Sequence, residues 1–293
     1  MRIKLTEETW YLLRRTNFVH PLQYRRLVGD ALAEDLLYGD RTTDSIFSTE
    51  IAAAELFAKE TGIVAGLPLF MEVFAQVDQA VACELFCTDG SHVAAGERLA
   101  IVRGRIASIL KGERTALNFM QRMSGIATMT GAAVQAVAGT AAKIVDTRKT
   151  TPGWRVLEKY AVRLGGGENH RFNLADLVMI KDNHIKGAGS ISEAVARVRA
   201  QAGFALKIEV EAASLADVRE ALACGVEIIM LDNMTVSKMR EAVLLVDRRT
   251  LLEASGGIGT EKLREVAETG VDLISLGYLT HSCRALDLSL KLQ

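Results

Sequence analysis

The sequence predicts an α/β protein: a parallel (β/α) barrel over its second half, preceded by a smaller α/β domain. Three observations lead there. Six short apolar runs recur at 143–146, 177–181, 206–211, 227–232, 250–255 and 272–277. Helical patterns at 191–202, 214–225, 235–246 and 260–270 separate the later runs, and each opens on or just after a Ser or Thr suited to an N-cap. The runs close on Arg148, Lys181, Glu211, Asp232, Ser255 and Gly277, at intervals of 33, 30, 21, 23 and 22 residues. Strand–helix repeats of roughly 20–35 residues are parallel βαβ units. A barrel carries its chemistry at the C-terminal ends of its strands, which suits a polar residue at every run end. A doubly wound open sheet is the alternative, and it would gather such residues at one switch point.

Taken in order, residues 1–20 form an amphipathic leader. Leu22, Leu27, Ala31, Leu32, Leu36 and Leu37 fall at helical spacing over 21–37, and a turn, GDRTTDSIF, follows at 39–47. Glycine-bounded β-rich runs at 54–66, 82–90 and 92–104, with a helix at 67–79, read as a small sheet of hammerhead or lipoyl-like type. No lysine sits at a lipoyl-type hairpin tip, which makes this a structural domain. A helix over 105–138 buries Ile109, Leu110, Leu117, Met120 and Met123 along one stripe.

The bulk composition narrows the function. A chain of 293 residues with 49% hydrophobic content holds two domains, or a barrel with an appendage. A net charge of −1 argues against nucleic acid as the main partner. The first ten residues carry charges too early for a signal peptide. The twenty-residue uncharged stretch between Arg122 and Lys143 is mostly Ala, Gly, Thr and Gln, without Leu or Phe, so it reads as a packed helix rather than a membrane span. Cys83, Cys87, Cys224 and Cys283 lack metal-site spacing and are expected to be free thiols in a reducing, cytoplasmic setting.

One stretch departs from this balance. Between Arg148 and Lys186 there are eight Lys/Arg and four acids, with His170 and His184 among them. Arg155, Lys159 and Arg163 are expected on a solvated helix face. Arg148-Lys149 and His170-Arg171 flank turns instead, and grouped cations at strand ends suit a polyanion. Thr151-Pro152 signals a helix start whose amides face the same anion. Glu211 and Asp232 close adjacent strands, where they would hold a divalent cation or pair with a barrel lysine. Glu209 shares the parity of Glu211 and faces the same interior. Glycine turns at 254–258 and 275–282 suit a phosphate. Lys181 also raises Schiff-base chemistry, which requires an apolar, desolvated lysine. His184 and His281 read as turn-stabilising.

The motifs DTRKTTPG (146–153), RLGGGENHR (163–171), MIKDNH (179–184), EVE (209–211), MLDNM (230–234), EASGGI (253–258) and LGYLTHS (276–282) together resemble the quinolinate phosphoribosyltransferase family. GDRTT (39–43) and ERTALNFMQRMSGIAT (113–128) match it as well. Trp154 departs from it, since a leucine is usual after TTPG. The resemblance implies an incomplete (β/α) barrel with an N-terminal α/β sandwich domain, divided as 1–114 and 115–283, with a C-terminal helix at 284–293 packing on the sandwich. It implies phosphoribosyl transfer from phosphoribosyl pyrophosphate to quinolinate with decarboxylation, in NAD biosynthesis, with Mg2+ as cofactor. It further implies a homodimer, or a larger assembly, in which Arg114 reaches the neighbouring pocket. By the same resemblance Arg148, Lys149, His170, Arg171 and Lys181 line the substrate site. Glu211 and Asp232 serve the metal and ribose, and Ser255, Gly256, Gly257, Ser275 and Gly277 hold the 5-phosphate. Lys149, Lys181, Glu211 and Asp232 are the expected catalytic set. A ModD-like relative or a non-catalytic metabolite-binding protein on the same scaffold is the alternative.

Overall fold

The computed structural model describes residues 19–293 and divides into two compact units. The leader at 1–20 lies outside the described residues, apart from Val19 and His20. One unit holds the described residues through Gly131 together with Thr150–Gly166 and Thr280–Gln293; the other holds Ala132–Lys149 and Gly167–Leu279. The expected boundary at 114/115 falls inside a single 31-residue helix, α4 (Ile106–Ala136), so the chain does not divide there.

The first unit contains α1 (Arg25–Leu36), α2 (Arg41–Ile46), β1 (Ile51–Ala58), β2 (Gly62–Ile63), α3 (Leu67–Val77), β3 (Ala82–Leu85), β4 (His92–Val93) and β5 (Arg98–Arg105). Residues 39–47 were expected as a turn; instead Asp40 accepts the Thr43 amide at 3.0 Å and starts α2, an acid N-cap doing its usual work. In β1, Ala54, Leu56 and Ala58 are buried at every second position, the period of a strand with one face in the core. The antiparallel sheet has the order β12-β1-β5-β3, and its edge strand β12 (Leu288–Leu292) corrects the expected C-terminal helix. Leu286, Leu288, Leu290 and Leu292 alternate strictly, a period-two pattern that a helix cannot use, and Leu290 lies opposite Leu56.

α5 (Arg155–Leu164) belongs to this first unit. It begins at Arg155, three residues after Pro152, and the Thr151 amide donates to Glu158 at 3.1 Å instead of facing an anion. Nor is its basic face solvated: Lys159 is fully buried, and only Arg163 of the three cations is exposed. Arg122 explains much of this. Its guanidinium donates to buried Glu158 at 2.9 Å, to Thr151 Oγ1 at 2.7 Å and to the Thr280 carbonyl at 3.1 Å. It also lies over Trp154, which stacks on Phe119 at 4.8 Å. Removing one partner of such a pair strands the other's charge. Glu158→Gln and Arg122→Ala are therefore each expected to cost about 3–5 kcal/mol of stability, read by chemical denaturation.

The second unit carries six parallel strands: β6 (Lys143–Val145), β7 (Val178–Ile180), β8 (Ile208–Ala212), β9 (Ile228–Asp232), β10 (Leu251–Ser255) and β11 (Leu273–Ser275). Between and after them come α6 (Asp182–Ala188), α7 (Ile191–Gln201), α8 (Leu215–Ala223), α9 (Val236–Val246), α10 (Leu263–Ala267) and α11 (Tyr278–His281). Strand order is β6-β11-β10-β9-β8-β7. The first strand pairs with the last and the rest follow in sequence, which is barrel order. A doubly wound sheet would reverse direction partway. β6 and β7 end the ladder without pairing to each other, and β6 carries on its outer side only a parallel bridge to Glu168, so the barrel is incomplete. Among the described residues no helix is long and apolar enough to cross a membrane.

Candidate active site

Because the six strands are parallel, their C-terminal ends share one mouth. Asp232 stands opposite Ser255 and Glu211 opposite Met230 in the ladder, while Ser275 faces Val145. Lys181 follows β7 directly, and Arg148 and Lys149 follow β6. Lys181 Nζ lies 3.0 Å from Glu211 Oε2. Its side chain is 46% exposed, so it is an ion-paired ammonium and not the apolar, desolvated amine of Schiff-base enzymes. His184 accepts the Lys181 amide at 2.9 Å and caps α6, a local role.

Arg148 is partly buried, and its Nε is enclosed without an acceptor. Arg171 donates to the Leu177 carbonyl at 3.0 Å and to Met179 Sδ at 3.4 Å. Burial, and then the nearby Arg148 charge, pull the Arg171 pKa below its ordinary value. Like charges that feel each other in this way are relieved when an anion binds between them. Lys149 is exposed, and its amide donates to Thr147 Oγ1 at 3.1 Å.

The turn after β10 is shaped by its neighbour. Gly256 has φ +93°, and a Cβ there would fall 2.9 Å from the Asn233 amide nitrogen. Only glycine admits that approach. Asn233 itself takes φ +52°, donates its amide to the Ser255 carbonyl at 2.9 Å and its Nδ2 to Asp232 at 2.8 Å. Gly257 is also left-handed, at φ +59°. Ser275 Oγ and Tyr278 Oη, at the end of β11 and the start of α11, are enclosed without partners. Gly277 joins them in the chain. Unsatisfied donors beside a glycine turn suit a bound phosphate.

Beneath the mouth lies a cluster that the sequence only hinted at. His170 Nε2 is 3.1 Å from Glu209 and 3.4 Å from Glu253, and both glutamates are fully buried. The three ligand atoms lie within 4.8 Å of one another. Burial would depress the His170 ring, but contact with the two glutamates overrides it and pushes its pKa up. Burial first, and Glu253 with it, push the Glu209 carboxyl up, against the opposing pull of His170. The geometry and the charges disagree on where the extra proton sits. The Arg171 amide donates into His170 Nδ1 at 2.7 Å, so that nitrogen must be bare. A neutral Nε2–H ring beside a protonated Glu209 binds as many protons as an imidazolium between two carboxylates. The amide contact selects the former, because two N–H groups cannot face each other at that distance. For Mg2+, which keeps several waters, the partly exposed pair Glu211 and Asp232 fits better than this enclosed trio.

Sequence reasoning missed Glu253, Asp146, Asn233 and Tyr278. Glu253 carries a signal: it shares parity with Ser255 as Glu209 does with Glu211. Arg114, in contrast, belongs to the first unit. It is exposed on α4 and lines a concavity of about 330 Å3 with Asp40, Arg41 and Lys111.

Residues 40–124 match the quinolinate phosphoribosyl transferase N-terminal domain, and residues 126–291 match its C-terminal domain. A curated relative from Bacillus subtilis, the probable nicotinate-nucleotide pyrophosphorylase [carboxylating], is 47% identical over 92% of this chain and 93% of its own. The Synechocystis protein of the same description is 46% identical over 89% and 90%. Among solved structures, NadC from Streptococcus pyogenes is 44% identical, with a TM-score of 0.92 over 95% of this chain and 99% of that one. Both domain models, in order and nearly end to end, are satisfied by the strands and turns described above: the chain belongs to the quinolinate phosphoribosyltransferase family.

Proposed function

We propose that this chain transfers the phosphoribosyl group of phosphoribosyl pyrophosphate to quinolinate and releases CO2, yielding nicotinate mononucleotide and diphosphate for NAD biosynthesis. The names of its relatives favour this reading over a ModD-like or non-catalytic one. The observation that carries it is Arg148 and Arg171 in the same unit as the strand ends, Arg148 with an enclosed Nε–H that has no acceptor and Arg171 lying within reach of its charge. Quinolinate offers two adjacent carboxylates, the planar anions guanidinium forks bind best.

Arg148, Lys149, Arg171 and Lys181 would grip the carboxylates, with His170 beside them. Ser255, Gly256, Gly257, Ser275 and Gly277 would hold the 5-phosphate. Glu211 and Asp232 would hold Mg2+ and the ribose hydroxyls, and when bound the ion supplies charge neutralisation to the leaving diphosphate. The anomeric C–O bond breaks as positive charge spreads over that carbon and the ring oxygen, and the pyridine nitrogen forms its bond from the opposite face. Holding both reactants in line supplies much of the acceleration. The electron pair of the adjacent C–C bond then stays on the ring carbon as CO2 departs, stabilised by the neighbouring pyridinium charge, and that carbon takes a solvent proton. Lys149 and Lys181 would stabilise the charge on the departing groups, and no protein nucleophile is needed.

The decisive assay incubates the protein with quinolinate, phosphoribosyl pyrophosphate and Mg2+. Nicotinate mononucleotide and diphosphate are expected, with loss of both on adding EDTA. Borohydride trapping of a substrate on Lys181 without that product would overturn the reading. We further propose a homodimer in which Arg114 serves the neighbouring subunit. Arg114→Ala and Arg148→Ala proteins, each strongly impaired, should regain part of the activity when mixed under subunit exchange, because one mixed site stays intact. No recovery would sink the shared-site arrangement.

A further inference from the structure

Glu209 and Glu253 are the puzzle in the barrel. Enclosing a carboxylate costs several kcal/mol unless something is gained from it, and neither reaches the mouth. What both touch is the His170 ring, whose side chain is only 9% exposed. Both ring nitrogens lie against groups of the same unit. Nε2 faces the two glutamates, and Nδ1 accepts the Arg171 amide at 2.7 Å. The backbone is fixed too: buried Asp146 accepts the His170 amide at 2.9 Å and the Asn169 side chain at 2.6 Å. With Nδ1 taken by the amide and Nε2 set against the glutamates, the ring is held between groups of its own unit.

We propose that His170 is a positioning residue: clamped by Glu209, Glu253 and Asp146, it fixes the backbone of Arg171, and Arg171 makes the substrate contact. The chain of contacts runs from Glu253 on β10 through the imidazole to the Arg171 amide. From there it reaches a guanidinium steadied by Leu177 and Met179. This rests on the proposed quinolinate reaction, in which Arg171 is one of the forks. It gives the buried glutamates a task, since they hold the ring in one tautomer and one orientation.

The clamp predicts a particular pattern of kinetics. Glu253→Gln keeps the shape of the side chain but changes what faces Nε2. It should raise the KM for quinolinate about tenfold to a hundredfold while leaving kcat and the KM for phosphoribosyl pyrophosphate nearly unchanged. In the His170→Asn background the same change should add nothing, because the link it acts through is gone. Additive losses, or an unchanged quinolinate KM in Glu253→Gln, would overturn the clamp. A measurement on the unaltered protein covers the case of a variant that does not fold. Ring 15N NMR of His170, assigned by the loss of its signal in His170→Asn, should give a bare Nδ1 and a protonated Nε2, unmoved by saturating quinolinate. A large shift of either nitrogen on adding quinolinate would make His170 a direct contact and end the proposal. Absence of nicotinate mononucleotide from the unaltered protein would instead strike at the reaction itself.

Discussion

Arg148→Ala is expected to lower kcat/KM for quinolinate by about 30- to 5,000-fold, the equivalent of 2–5 kcal/mol for truncating one member of an enclosed charge pair. The expectation follows from what surrounds this side chain before any substrate arrives. Its Nε is buried without an acceptor, and its charge depresses that of Arg171. Such an arrangement is unfavourable in isolation and becomes favourable when a dianion enters. The loss should fall on quinolinate, with the KM for phosphoribosyl pyrophosphate little changed. Arg148→Lys should recover only part of it, because an ammonium is a point charge and cannot present a planar fork to a carboxylate. Steady-state kinetics with each substrate varied in turn check both statements. An Arg148→Ala protein of ordinary quinolinate affinity would remove the basis of the proposed site.

The barrel was legible because its strands are short, apolar and closed by polar residues, and because Ser190, Ser214 and Thr235 mark the following helices. Each of those three accepts the backbone amide three residues on, as an N-cap should. The mouth residues were legible for the same reason, since a strand end fixes both position and direction. What stayed hidden depended on partners distant in sequence. β12 pairs with β1 across more than two hundred residues, so nothing local marks its alternating leucines as a sheet edge. Lys159 looked like surface charge because nothing local betrays that its helix turns that side inward. Glu253 sits inside an apolar run, where one acid reads as an exception until the ladder places it under His170. Asp146 next to Arg148 and Lys149 reads as a surface counter-ion, yet it is fully buried and holds the turn that carries His170.

Gly125→Ala should be the most damaging small substitution in the first unit, and two effects of opposite sign decide it. Gly125 lies inside α4, where alanine normally gains about 1 kcal/mol in helix propensity. Here the added Cβ would meet backbone, 2.9 Å from the Arg284 carbonyl carbon and 3.0 Å from Ala285 Cα, and closer still to the Arg284 oxygen. Backbone yields less readily than a side-chain tip, and overpacking of this kind costs about 1–3 kcal/mol or more. The segment it would displace is also the root of β12. The Leu286 amide donates to the Gln121 carbonyl at 2.9 Å, and Gln121 Nε2 donates to the Leu288 carbonyl at 2.9 Å. Pushing 284–288 off α4 therefore loosens both hydrogen bonds and the sheet edge that follows. Steric loss outweighs propensity, and the midpoint of thermal unfolding should fall by about 2–8 °C. Limited proteolysis should cut first near the C-terminus. Gly203→Ala is the control, because its Cβ would meet nothing within 4 Å and its φ is not left-handed. If Gly125→Ala melted at or above the unaltered temperature, the close packing of α4 on the C-terminal segment would be wrong.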